Sequence, residues 1–192
     1  YNEYVKNFEN WEDVNQVLPN GKTLLYMAVS LNNIDFVNDL IRAGANVNHI
    51  FPDGESALFI ATLKGNIDCV EVLLKAGANV NQEGQFGSTV LMIAASNNDS
   101  ILIEFLIEAG ANVNQFSSAG GTALMFAARE GYVNCVKVLL KSGASVDQNM
   151  SNGATALILA ASKGQVKVVK QLIKKNANLD LQNQDGYTAL ML

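Results

Sequence analysis

The chain has 192 residues, of which 49% are hydrophobic and 16% charged, and its formal net charge is −5. A chain of this length and composition can bury a substantial core, which excludes an intrinsically disordered protein. Its apolar runs are far shorter than the roughly 20 residues of a membrane-spanning helix, and its N-terminus YNEYVKNFENWED lacks the apolar segment of a secretory signal. We therefore expect an intracellular protein, cytoplasmic or nuclear.

One glycine recurs every 33 residues and sets the register of all the predicted elements. Thr or Ser stands two residues after each copy, and Leu stands two residues further on. A fixed period of this length is typical of proteins built from small stacked repeats. The six copies are Gly21, Gly54, Gly87, Gly120, Gly153 and Gly186.

The first 18 residues are predicted to close a repeat that starts earlier. Val14 and Asn15 stand 33 residues before Val47 and Asn48, so the DVN of residues 13–15 is expected to be the exit of that repeat. The apolar face of its second helix would then contain Tyr4, Val5 and Phe8.

Each following repeat opens with a predicted helix that a hydroxyl side chain caps. Thr or Ser at this position accepts a hydrogen bond from a free backbone N–H of the first turn, which contributes about 1 kcal/mol. We expect each helix to run for about nine residues and to close at a Gly or Asn in the left-handed conformation. The capping residues are Thr23, Ser56, Thr89, Thr122, Thr155 and Thr188, and the closing residues are Asn32, Gly65, Asn98, Gly131 and Gly164.

A second amphipathic helix follows in every repeat. In DCVEVLLKAG, for example, Val70 and Leu73 share one face, and Glu71 and Lys75 share the other. This helix is expected to end at a left-handed residue, and the sequence GANVN then leads into the next repeat. The expected end points are Gly44, Gly77, Gly110, Gly143 and Asn176.

These elements predict a single array of repeats along the whole chain. The full repeats are placed at residues 19–51, 52–84, 85–117, 118–150 and 151–183, between partial repeats at residues 1–18 and 184–192. Because the last segment, YTALML, stops within a first helix, we expect the chain to be part of a longer protein.

The 33-residue period, the helix pair, the Thr-x-Leu start and the GANVN exit together resemble the ankyrin repeat family over essentially the whole chain. The resemblance implies an all-α solenoid of stacked helix-turn-helix units with short β-hairpin or loop fingers. The family motif Thr-Pro-Leu-His is only half kept, since neither Pro nor His is present in any copy. We expect apolar packing in place of the His hydrogen bonds, through Tyr26, Phe59, Met92, Met125, Ile158 and Met191.

The sequence offers no constellation for catalysis, a metal or a cofactor. It has one histidine, His49, and two cysteines, Cys69 and Cys135, which occupy the same position in two repeats. Both thiols are expected to be small core residues in a reducing compartment. This region is therefore predicted not to be an enzyme, although it could be the recognition part of one whose catalytic domain lies elsewhere.

The resemblance implies that the chain, as a monomer, binds another protein or peptide on a concave face formed by the fingers and first helices. Phe86 and Phe116 are the leading candidates because exposed aromatic residues are common in binding hot spots. The alternative is that each ring packs on the neighbouring finger. The face is expected to include Asp53, Glu55, Leu63, Lys64, Phe86, Ser88, Asn97, Phe116, Arg129, Glu130 and Lys163.

The resemblance also implies a modification. Asn48, Asn81 and Asn114 stand at the position where ankyrin proteins can be hydroxylated by an asparagine hydroxylase. This expectation depends on the presence of such an enzyme in the host.

Charge is distributed unevenly along the chain. Residues 1–120 carry 14 acidic and 5 basic side chains, a net charge of −9, whereas residues 121–192 carry 4 acidic and 8 basic ones, a net charge of +4. The basic end is interpreted either as a solvated helix face or as a docking patch for an acidic protein, phospholipid or nucleic acid. In the leading hypothesis the partner is a protein or peptide, and the chain does not bind nucleic acid. Its contact with a membrane is then at most a weak one with acidic lipid. Five of the lysines are Lys163, Lys167, Lys170, Lys174 and Lys175.

Overall fold

The computed structural model describes residues 13–192, and in this range the regular structure is helical. The predicted helix face at Tyr4, Val5 and Phe8 lies outside the described residues. The contacts within the chain divide it into two compact units, with the division after Asn79, and each unit is a stack of helix pairs. The predicted all-α ankyrin fold is confirmed.

The described part of the first unit contains two helix pairs. In each pair the two helices pack against one another, and the first helices and the second helices also pack between pairs. The core consists of aliphatic side chains such as Val29, Leu40, Leu58 and Leu73, all fully buried. The helices are α1 (Leu24–Ser30), α2 (Ile34–Arg42), α3 (Ala57–Leu63) and α4 (Ile67–Lys75).

The second unit repeats this arrangement three times within residues 80–192. The first helices α5, α7 and α9 form one layer, and the second helices α6, α8 and α10 form another. The helices are α5 (Val90–Ser96), α6 (Ser100–Glu108), α7 (Ala123–Glu130), α8 (Val133–Lys141), α9 (Ala156–Ser162) and α10 (Val166–Lys174), with short 3-10 turns at Gln85–Gly87 and Ala189–Met191.

The predicted helix caps are confirmed for the five first helices. In each one, the hydroxyl oxygen accepts from the backbone N–H three residues later, as between Ser56 Oγ and Phe59 N at 3.2 Å. Thr188 makes no such bond, since the 3-10 turn that follows it is not an α-helix. The capping residue therefore fixes where each repeat begins its first helix.

The first helices are shorter than predicted, with seven or eight residues rather than about nine. The left-handed conformation is present at the predicted closing residues, for example Asn32 with φ +52° and Gly65 with φ +69°. The following N–H then bonds to the carbonyl five residues back, as Asn66 N does to Ala61 O at 2.9 Å. This reversal excludes the last two predicted residues from the helix. The second helices end likewise at their predicted residues, including Asn176 with φ +61°.

Of the two predicted forms, β-hairpin or loop, the described fingers have the loop form. Across the described residues, strand pairing is limited to the isolated bridges Ile50–Ser56 and Asn149–Thr155. Each finger is closed by a backbone bond four residues across, such as Phe51 N to Glu55 O at 2.9 Å. A second bond lies inside the turn, from Gly54 N to Phe51 O at 2.8 Å, and the arms are too short to form a ladder.

The exit asparagines tie each repeat to the next one. Asn48 donates through Nδ2 to the Gly77 carbonyl at 3.0 Å and accepts through Oδ1 from Asn79 N at 2.7 Å. Asn15 makes the same pair of bonds to Gly44 and Asn46, as expected if residues 13–15 are a repeat exit. We call this pair of bonds the exit clamp, and it recurs at Asn81 and Asn114.

Candidate functional site

In the first unit, the candidate residues lie in one finger and at the end of α3. Asp53 Oδ1 accepts from Glu55 N at 3.3 Å, so these two acids shape their own turn. Burial, together with the charge of Asp53, raises the pKa of Glu55 above its usual value. Leu63 and Lys64 are exposed where α3 ends. Two polar turn residues and a solvent-exposed helix end are therefore available in this unit.

Phe86 has an unusual position in the second unit. The residue is 82% exposed, and its backbone is left-handed, with φ +56°. Positive φ is a strained conformation for a bulky residue. The equivalent tip residues of other fingers, Asp53 and Asn152, instead accept a hydrogen bond from the N–H two residues later, and neither has positive φ. The third finger, residues 83–89, therefore presents an aromatic ring where these fingers have a turn-forming polar residue.

The backbone around Phe86 is held by hydrogen bonds on both sides. Gly84 N donates to Ser88 O at 2.8 Å and closes the finger, and Ser88 Oγ donates to Gln85 O at 2.7 Å. Ser118 N, in the next finger, donates to Phe86 O at 2.8 Å. The ring itself does not pack on the neighbouring finger, because most of its surface is exposed.

Phe116 lies in the fourth finger, residues 116–122, and is 59% exposed. It lines a shallow depression together with Glu83, Ser118 and Ser151. At its edge Gln115 Nε2 donates to Glu83 Oε1 at 2.6 Å. The depression thus combines one aromatic side wall with hydroxyl, amide and carboxylate groups.

Arg129 lines a different depression, which is more apolar. Its lining includes Met125 and Phe126 of α7 and Leu159 of α9. The Arg129 guanidinium pairs with the neighbouring Glu130 carboxylate, Nε to Oε1 at 2.7 Å. Phe116 and Arg129 line separate depressions in the second unit, and their grouping on one binding face stays a prediction.

The remaining candidates mark the ends of the first helices. Asn97 follows α5 and Lys163 follows α9, and both are exposed, as is Glu130 at the end of α7. These three residues stand at the same register position of successive repeats. Along this row, Asn97 carries an amide, Glu130 a carboxylate and Lys163 an ammonium group.

The candidate hydroxylation residues are engaged in the exit clamp. In Asn81 and Asn114, the amide nitrogen donates to a glycine carbonyl, and the amide oxygen accepts from the backbone N–H two residues after that glycine. Asn48 does the same in the first unit. Their structural role is therefore clear, and their modification stays a prediction.

The thiols are shielded rather than reactive. Cys69 and Cys135 are buried and free, and each S–H donates to an asparagine side chain. Burial raises the pKa of both thiols, that of Cys135 to about 11. Within residues 13–192, no group of three His, Cys, Asp or Glu side chains could hold a metal ion, and no helix has the length and apolar composition to cross a membrane.

Capped first helices, left-handed helix ends and clamped connectors define a repeat protein of the helix-pair class. The family model described as ankyrin repeats matches in three copies, at residues 1–84, 76–150 and 145–192, and the chain belongs to this family. Ankyrin repeats are generally protein–protein interaction modules. No curated protein matches the chain at a significant level of similarity.

Two features of the surface escaped the sequence analysis. One is the left-handed backbone of Phe86, for which the only signal was the replacement of a turn-forming residue by an aromatic one. The other is the alignment of four exposed lysines on two packed helices. Lys137 and Lys141 stand 33 residues before Lys170 and Lys174. Extending the 33-residue comparison to the second helices would have found it.

Proposed function

We propose that the second unit recognises a partner protein through the third and fourth fingers, with Phe86 and Phe116 as the apolar anchors. The observation that carries the proposal is the conformation of Phe86, an aromatic residue that is 82% exposed on a left-handed backbone. The first helices and their exposed ends at Asn97, Arg129 and Glu130 would complete the concave face within this unit.

The energetics of Phe86 support a binding role. A bulky residue in a sparsely populated backbone region costs on the order of 1–3 kcal/mol, and such strain is concentrated at functional sites. Burial of the ring offsets little of this energy, because Phe86 is mostly exposed in the free protein. A partner that covers the ring would gain its apolar surface without any further ordering of the finger.

Phe116 supplies a second anchor of different character. Its ring is partly enclosed by the depression that includes Glu83 and Ser118. An apolar anchor surrounded by polar groups is the arrangement found at the centre and rim of many interfaces. The partner is therefore expected to bring an apolar side chain flanked by hydrogen-bond donors, since Glu83 Oε1 is an acceptor.

The test compares partner binding by the wild-type chain and two variants. Phe86→Asn with Phe116→Ser removes both rings, and asparagine suits the left-handed backbone at position 86. The matched control is Ile101→Ser, which removes an apolar side chain that is 78% exposed on α6, outside the proposed face.

We expect the double variant to bind the partner at least about 30-fold more weakly, a loss of about 2 kcal/mol or more. The control should bind like the wild-type chain, and both should keep its helical circular dichroism. Unchanged binding by the folded double variant, or an equal loss in the control, would contradict the proposal.

We also infer that the protein acts as a monomer in a reducing compartment, the cytoplasm or nucleus. Two free, buried cysteines support this location. Sedimentation of the purified chain as a dimer would contradict the inferred monomer.

A further inference from the structure

A set of exposed lysines covers the outer side of α8 and α10. On each helix two lysines four residues apart lie on the same face, because this spacing is close to one helical turn. The two helices pack side by side, so the pairs align at a separation of about 10 Å. We call this surface the basic face, and its members are Lys137 and Lys141 on α8, Lys167, Lys170 and Lys174 on α10, and Lys175 directly after α10.

The charges of the basic face are not neutralised locally. Among residues 13–192, the ion pairs are Arg42–Asp39, Lys75–Glu71 and Arg129–Glu130, and none of them includes a lysine of the basic face. Lysines without a carboxylate partner keep their full attraction for an external anion.

The basic face has a sharp edge on one side. On α6, which packs against α8, the positions equivalent to Lys137 and Lys141 hold Glu104 and Glu108. The positive surface is therefore two helices wide and ends at an acidic row. The other nearby acids, Asp147 and Asp180, lie in connectors beyond the ends of α8 and α10.

We propose that the basic face docks on an anionic lipid membrane surface. A lysine close to a membrane that contains acidic lipids increases binding about 5-fold, and several lysines act together. Val166, exposed at the start of α10 and one helical turn before Lys170, adds an aliphatic contact among the charges. The occupant is thus a surface of mobile anionic headgroups rather than a single phosphate.

Two observations favour lipid over nucleic acid. First, α8 and α10 carry no arginine and no aromatic residue, whereas nucleic-acid surfaces rely on arginine contacts and aromatic stacking. Second, a duplex has fixed phosphates that would continue past the basic face onto Glu104 and Glu108. Acidic lipids diffuse laterally, so they can gather under the lysines and leave the acidic row.

This contact would be independent of the proposed partner site. The lysines belong to the second helices, whereas Phe86 and Phe116 belong to the fingers. Membrane docking and partner binding could then occur together, and the loss of one would leave the other intact.

The test is co-sedimentation of the full chain with vesicles at near-physiological salt. Vesicles of phosphatidylcholine alone are compared with vesicles that contain about one third phosphatidylserine. Lys170→Gln with Lys174→Gln removes two charges of the basic face, and glutamine has nearly the same helix propensity as lysine. The matched control, Arg42→Gln with Lys75→Gln, removes two charges from equivalent last-turn positions on α2 and α4.

We expect the wild-type chain to bind only the phosphatidylserine vesicles, and the Lys170/Lys174 variant to bind them about 30-fold more weakly. The control should bind like the wild-type chain. If the Lys170/Lys174 variant is not folded, Lys137→Gln with Lys141→Gln replaces it with the same expectation.

Three results would overturn the proposal: no binding to the acidic vesicles, equal binding by the lysine variant, or an equal loss in the control. Binding of duplex RNA that depends on the same lysines, without binding to vesicles, would also overturn it and assign the face to nucleic acid.

Discussion

The strain at position 86 can be measured by comparing Phe86→Gly with Phe86→Ala. Both variants lack the ring, so their difference isolates the Cβ atom on a left-handed backbone. That atom costs about 1–2 kcal/mol in this conformation, and glycine loses roughly 0.5–1 kcal/mol through its greater freedom in the unfolded chain. We therefore expect the glycine variant to be more stable by roughly 0.7 kcal/mol, the difference between the two effects.

The fourth finger provides the control for this measurement. Ala119 is the equivalent of Phe86 and does not have positive φ. Its carbonyl accepts a hydrogen bond from Ser151 N of the next finger at 3.0 Å, just as the Phe86 carbonyl accepts from Ser118 N. Ala119→Gly should consequently destabilise the chain by roughly 0.5–1 kcal/mol, because only the entropic term remains.

Urea denaturation followed by circular dichroism measures both differences. A gap of roughly 0.7 kcal/mol between the position 86 variants corresponds to about 0.35 M in the urea midpoint, for an m-value of about 2 kcal/mol per M. If Phe86→Ala is as stable as Phe86→Gly, the third finger relaxes to the ordinary turn of the fourth, and the ring is not presented by a strained backbone.

Four further predictions concern stability and chemistry. Leu106→Ala, at a fully buried position, should lose about 2–5 kcal/mol of unfolding free energy. Leu190→Ala, at a position that is 93% exposed, should lose about 0.5 kcal/mol or less. Equal losses in denaturant would contradict the burial pattern. The Asp147 carboxylate accepts from Asn178 N but cannot donate a hydrogen bond. Asp147→Asn should therefore complete an exit clamp and stabilise the chain by about 1 kcal/mol. A lower melting temperature would count against this prediction. The Cys135 thiol, with its pKa raised to about 11, should react with a disulfide reagent at pH 8 far more slowly in the folded than in the unfolded chain, and comparable rates would show that it is accessible. Mass spectrometry of the native protein should find one added oxygen at Asn48, Asn81 or Asn114, and its absence at all three would remove the hydroxylation prediction.

The parts of the fold that sequence could predict depend on the local chemistry of single residues. Ser56 caps a helix because its hydroxyl faces a free N–H, and Gly65 ends one because it tolerates positive φ. The left-handed state of Phe86 does not follow from the bonds made by Gly84 and Ser118, because the fourth finger makes the equivalent bonds and Ala119 does not have positive φ. The separation of Phe116 from Arg129 depends on how two helices and their fingers pack. Neither feature is encoded in a local pattern.

The full extent of the basic face also could not be predicted from the sequence alone. The lysines of α10 stand out in the sequence, but their partners on α8 become relevant only when the two helices are known to pack together. Composition locates charge along the chain, and packing decides which charges share a surface.

The most direct test of the central claim is to ask what touches the third finger in the bound state. A photoreactive benzoylphenylalanine can replace Phe86 with little change, since it keeps an aromatic ring that is already exposed. The same amino acid at Ile101, on the outer helix α6, provides the control. We expect irradiation of the complex to link the partner to position 86 and not to position 101. A partner linked at position 101 and absent from position 86 would contradict this expectation.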